Sequence, residues 1–191
     1  DVVLCDGAPV LWDYRFSDGS GHAERIGSTD WIPHVACIPG LTRVGVIGAS
    51  AEANRRFVSV ISGLLPDARV MGIEGANWSS DTANAAREAM RRFGPQLLLV
   101  GLGMPLQEHY VASLRMDKSL RVIATVGGAI DQISGTQRNA PRWLGQMGLE
   151  WLWRLASQPQ RLSHRYLVEP WQLLWVRVRD VSRRRGRGSL P

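Results

Sequence analysis

Two short stretches carry side chains suited to chemistry. In "CDGAPVLW" (5–12), Asp6 closes a hydrophobic run and is followed at once by Gly7. A carboxylate at the end of a strand can meet a substrate hydroxyl as a general base. Asp-Gly alone is equally a turn signal, and on these residues the turn is the readier reading. In "GLGMPLQEHY" (101–110), Gln107 and Glu108 follow a glycine- and proline-containing turn. An amide there can read the hydroxyls of a ligand, or the pair can simply occupy the first turn of a helix. Several chemistries lack their residues. No D-x-D pair is present for a metal-chelated nucleotide sugar, and there is no Ser-His-Asp set, H-E-x-x-H or P-loop. His22, His34, His109 and His164 are scattered, and Cys5 and Cys37 lie 32 residues apart without C-x-x-C spacing. Free thiols in a reducing compartment are expected. "RVGVIGASAEA" does not reproduce G-x-G-x-x-G, which argues against a nicotinamide enzyme.

Positioning these groups requires a framework, and the apolar pattern supplies one. "RVGVIGAS" (43–50), "PQLLLVGLGMP" (95–105) and "RVIATVGGAID" (121–131) are apolar runs that each end in a glycine-containing loop, as buried parallel strands do. Between them, residues 51–64 place Phe57, Val60, Ile61 and Leu64 on one helical face. Residues 81–93 do the same with Ala85, Ala86, Ala89, Met90 and Phe93, and Asp81 is the expected N-cap. Strand alternating with helix predicts a Rossmann-like α/β fold, a mostly parallel sheet flanked by helices. The three glycine loops should share the rim at the carboxyl ends of the strands, where such folds bind ligands. With 191 residues, 45% hydrophobic and 21% charged, the chain fits one sizeable core. It opens on Asp1 inside a hydrophobic run and without an initiating methionine, as expected of a fragment whose natural start lies upstream.

Charge is unevenly distributed. Residues 1–137 carry 12 basic and 14 acidic side chains, whereas residues 138–191 carry 11 arginines and only Glu150, Glu169 and Asp180. Five of the eight tryptophans (Trp143, Trp151, Trp153, Trp171 and Trp175) fall in the same tail. Residues 141–156 and the segment opened by Pro170 carry helical apolar stripes beside these arginines. Such helices lie in the headgroup region of an anionic membrane, or they cap the core with a solvated basic face. No RNP, KH or helix-turn-helix pattern supports nucleic-acid binding, and no apolar run approaches the roughly 18–20 residues of a membrane span. The expected organisation is an α/β catalytic domain over 1–140, a helical appendage over 141–182 and a disordered basic tail over 183–191.

Taken together, "CDGAPVLW", "ERIGSTD" (24–30), "LLLVGLGMPLQEHY" (97–110), "VGGAIDQISGTQRNAPRWL" (126–144) and "GLEWLWRLASQPQRLSHRYL" (148–167) resemble the ordered blocks of the WecG/TagA/CpsF family of bacterial glycosyltransferases. The resemblance runs to about residue 175. It implies a peripheral enzyme on the cytoplasmic face of the plasma membrane that needs no metal and no cofactor. Such an enzyme moves a sugar (N-acetylmannosamine, its uronic acid or glucose) from a UDP donor to a polyprenyl-diphosphate-linked acceptor with inversion. Asp6 inherits the role of base. Arg25 and Gln107 would line the substrate pocket, Asp131 would contact the uracil, and Arg154, Arg161 and Arg165 would neutralise the diphosphate. Trp78 in "GANWSS" is the candidate to stack on the base, where relatives place a tyrosine. The implied partners are the UDP-sugar, the lipid-linked acceptor and an anionic membrane surface, with no nucleic acid; a homo-oligomer stays open. Two other readings remain: a catalytically inactive nucleotide-sugar-binding or scaffold protein of the same fold, and an oxidoreductase with a degenerate nucleotide loop.

Overall fold

The computed structural model describes residues 26–114, 120–137 and 150–157. Among the described residues, four strands, β1 (Arg43–Gly48), β2 (Arg69–Ile73), β3 (Leu97–Gly101) and β4 (Val122–Thr125), form one sheet in the order β2-β1-β3-β4. Every pairing is parallel, with Val46 opposite Leu99 and Leu99 opposite Ala124. Parallel strands need long crossovers, and helices supply them. These are α2 (Ala51–Leu64) between β1 and β2, α3 (Ser80–Phe93) between β2 and β3, and α4 (Leu106–Ser113) between β3 and β4. A short helix, α1 (Ser28–Trp31), and a 3-10 turn over Ile32–Cys37 precede β1, and α5 (Ala129–Ile133) follows β4.

Both faces of the sheet are covered, as the apolar runs require. Val44, Val46, Leu97 and Leu99 pack with Phe57 and Ile61 of α2, with Ile32 and Val35, and with Ile130 of α5. On the opposite face, Ile47, Leu98 and Val100 pack with Ala86 and Met90 of α3 and Tyr110 of α4. This is the expected α/β fold with helices on both faces. The helix read over 51–64 has those bounds, with Ser50 as its N-cap, Oγ accepting from Ala53 N at 3.2 Å.

Five details differ from the sequence reading. The run 121–131 reads as a buried strand, yet β4 lies at an edge of the described sheet with Val122 exposed and no buried residue, because only β3 pairs with it there. Val60 is exposed although the pattern put it on the inner face, because Phe57 and Ile61 already fill the contact with the sheet. Ala85 is exposed as well, and Ala86 and Met90 carry the inward stripe of α3. The N-cap of α3 is Ser79, whose Oγ accepts from Thr82 N while Thr82 Oγ1 accepts from Ser79 N; Asp81 sits in the first turn instead, where its charge suits the helix dipole. Strand β2 had no apolar run to announce it. "RVMGI" lies at the edge of the described sheet with no fully buried residue, so burial put little constraint on its composition.

Residues 1–139 and 140–191 form separate units. Of the second, the described element is α6 (Glu150–Ser157), which presents Leu152 to solvent and leaves Trp153 and Leu155 half-buried. The rest of the helix read over 141–156 and the segment from Pro170 lie outside the described residues. Among the described residues, no helix is long and apolar enough to cross a membrane.

Candidate active site

The strand order creates one privileged location. From β1 the chain crosses to β2 on one side, then returns past β1 to β3 and β4 on the other. The loops leaving β1 and β3 therefore diverge, and the crevice outside their carboxyl ends is where open α/β sheets take ligands.

The three glycine loops do meet on this rim. Gly48 ends β1 at φ +126°, and a side chain there would collide with the Gly101 backbone at the end of β3. A Cβ on Gly101 would in turn lie 2.6 Å from the Gly127 carbonyl oxygen beyond β4 and as close to Ile130 Cδ1 of α5. Glycine at these two positions lets three loops approach at backbone distance. Hydrogen bonds join them. Ala49 N donates to Gly101 O (3.3 Å), Gly75 N to Ala49 O (2.8 Å), and Val126 N to Val100 O (2.8 Å). Ala49 itself is left-handed at φ +60°, a conformation that costs a non-glycine residue roughly 1 kcal/mol.

Asn54 completes the rim, and sequence reasoning missed it. It is buried in the first turns of α2, and Nδ2 donates to Gly48 O at 2.9 Å and to Ile73 O at 3.0 Å. One amide thereby closes the ends of β1 and β2. A polar residue beside Ala53 on the inward face of an amphipathic helix was the available signal.

Gln107 stands in the first turn of α4, directly after the loop from β3, and is buried. Its Nε2 donates to Glu108 Oε1 at 2.8 Å, but its Oε1 is buried without a hydrogen-bond partner. Leaving such an acceptor unsatisfied costs about 1–3 kcal/mol, so an unfilled amide oxygen on a ligand-binding rim is an unusual feature. The helix-start reading holds: Gln107 stands in the first turn of α4, and its amide oxygen is left without a hydrogen-bond partner.

Asp131 lies half-buried on α5, one residue after Ile130. Its backbone carbonyl accepts from Ser134 Oγ (3.0 Å), Thr136 Oγ1 (3.1 Å) and Gln137 N (3.0 Å), which folds the following loop back onto the helix. Helix α1 packs against α5 as well. Gly27 N donates to Asp30 Oδ2 at 2.8 Å in that helix, so the end of "ERIGSTD" is built next to the element that carries Asp131. Trp78 is half-buried in the loop that follows β2. Its ring meets that of Tyr110 edge-on, with centroids 5.3 Å apart and planes at 84°. Asp6, Arg25, Arg161 and Arg165 lie outside the described residues, and so does the side chain of Arg154, whose backbone is in α6. Among the described residues, no three His, Cys, Asp or Glu side chains are grouped to hold a metal ion.

The chain has relatives among known proteins. A protein of Bacillus subtilis (strain 168) named N-acetylglucosaminyldiphosphoundecaprenol N-acetyl-beta-D-mannosaminyltransferase is 31% identical over 163 residues, 84% of this chain and 62% of the relative. The chain thus spans less than two thirds of that relative's length. The description "Glycosyl transferase WecG/TagA/CpsF family" matches residues 1–187. With a match across nearly the whole sequence, and a doubly wound sheet beneath it, the chain belongs to the WecG/TagA/CpsF family of glycosyl transferases.

Proposed function

We propose that this protein is an inverting glycosyltransferase that moves a sugar from a UDP donor to a polyprenyl-diphosphate-linked saccharide in bacterial cell-envelope or exopolysaccharide synthesis, without a metal. The observation that carries the reading is Gln107 in a family glycosyl transferase: a buried amide with an unfilled acceptor, in the first turn of the helix after the β3 loop. A sugar hydroxyl is a donor of the kind that oxygen lacks. The name of the Bacillus relative supports a lipid-diphosphate acceptor and an N-acetylmannosaminyl donor group.

In this mechanism Asp6 takes the proton from the acceptor hydroxyl as its oxygen attacks the anomeric carbon from the face opposite the nucleotide. The bond to the UDP oxygen breaks as the new glycosidic bond forms, so the configuration inverts. Charge gathers on the departing diphosphate, and Arg154, Arg161 and Arg165 neutralise it; a guanidinium fork matches phosphate oxygens in pairs. Arg25 and Gln107 hold the sugars, and Asp131 contacts the uracil. The arginine- and tryptophan-rich tail holds the enzyme to an anionic membrane surface on the cytoplasmic side, where a polyprenyl acceptor is displayed.

The test is transfer from UDP-N-acetylmannosamine to a synthetic polyprenyl-diphosphate N-acetylglucosamine in excess EDTA. Full-length protein should turn over, and Asp6→Asn should lose transfer by about 10²–10⁴-fold while still binding UDP. An Asp6→Asn variant of undiminished rate would remove Asp6 as the base, and abolition by EDTA would remove the metal-free mechanism.

A further inference from the structure

We propose that Trp78 and Tyr110 form an aromatic bearing that sets the position of Gln107, making Trp78 a positioning residue for substrate recognition. The inference rests on the proposed role of Gln107 in holding substrate.

Helix α4 is only two turns long, and its buried residues are Gln107 and Tyr110. These are separated by three positions and so share one face of the helix. Rotation of α4 about its axis therefore moves both together. A helix this short has little stability of its own and takes its orientation from tertiary contacts. Beside the core packing of Ala86 and Met90 with Tyr110, two directed contacts reach it from the β2–β3 crossover. The Trp78 ring lies edge-on to Tyr110 at 5.3 Å. Arg87 Nη2 of α3 donates to Ser113 Oγ at 2.8 Å, and that hydroxyl donates to the Tyr110 carbonyl at 2.6 Å. The phenol oxygen of Tyr110 has no partner, so the ring is held by packing and not by a hydrogen bond. Packing of Tyr110 with Ile47, Leu98, Val100, Ala86 and Met90 holds the α4 face against the core, and the Trp78 ring bears on the same side chain from the β2–α3 loop, so the unfilled Gln107 oxygen points where these contacts together set it.

A double-mutant cycle separates positioning from mere stability. Trp78→Ala should lower kcat/KM for transfer about tenfold, and Trp78→Phe, which keeps an aromatic edge, should stay within about threefold of the parent. In a Gln107→Ala background, Trp78→Ala should cost less than about twofold, because the group it positions is gone. Losses that multiply independently would overturn the inference. So would a Gln107→Ala variant with full activity, although transfer by the parent would then leave the proposed function standing. If the parent transfers no sugar, the proposed function fails, and amide hydrogen exchange decides the bearing by itself. Trp78→Ala should accelerate exchange over residues 107–113 but not over β1, and unchanged exchange in α4 overturns it.

Discussion

Asn54 and Gly48 are joined by a 2.9 Å hydrogen bond from the Asn54 amide to the Gly48 carbonyl, and the same nitrogen reaches Ile73 O at 3.0 Å. A helix side chain thereby completes the ends of two strands just where the chain turns to form the rim. Replacing Asn54 with leucine would leave two strand-end carbonyls without that donor. We expect a loss of about 2–3 kcal/mol in urea unfolding, with UDP affinity falling as the rim loosens. Unchanged stability would show that water replaces the amide.

Gly48 and Gly63 should respond to alanine in opposite directions. At Gly48 the φ of +126° and the Gly101 backbone leave no room for a methyl group, and Gly48→Ala should destabilise by about 2 kcal/mol or more. Gly63 lies in α2 with open space where its Cβ would point, so Gly63→Ala should stabilise by about 0.5–1 kcal/mol. Thermal or chemical unfolding of the pair checks both signs.

Tyr110 links stability to alkaline pH. Burial pushes its hydroxyl up to about 12 from the ordinary 10, with Arg87 opposing the shift. Below pH 10 both folded and unfolded chains hold the proton. Between about pH 10 and 12 the unfolded chain releases it first, so stability falls as pH rises through that window. Tyr110→Phe should remove this component of the fall. Because the buried oxygen has no partner, the variant should be no less stable at pH 7. Unfolding midpoints measured from pH 8 to 12.5 test both statements.

Glu88 should report on the acid side. Side-chain hydrogen bonds from Arg91 and Arg92 hold its carboxyl down to about 2, from an ordinary 4.5. The stabilising contribution is present above about pH 4.5 and is lost as pH falls towards 2. The ion pairs are solvent-exposed, so the difference between parent and Glu88→Gln should be small and should shrink in high salt. A difference that persists undiminished in 1 M salt would contradict the surface-pair account.

Periodicity in the residue pattern determined the α/β class, the buried strands β1 and β3 and the bounds of α2; it located β4 but not its edge position. A buried parallel strand must be apolar throughout, and an amphipathic helix must repeat near 3.6 residues; both are local constraints. The same local logic marked Gln107 and the glycine loops. Strand β2 escaped because an edge position demands little of "RVMGI", and Ser79 displaced Asp81 as the cap of α3 because either residue can cap and the backbone path decides. Only the tertiary structure showed that Gly48 must yield space to Gly101, that Asn54 spans the ends of two strands, and that Trp78 turns inward to Tyr110. Each of these depends on groups far apart in the chain reaching the same few ångströms, a distance no local pattern encodes.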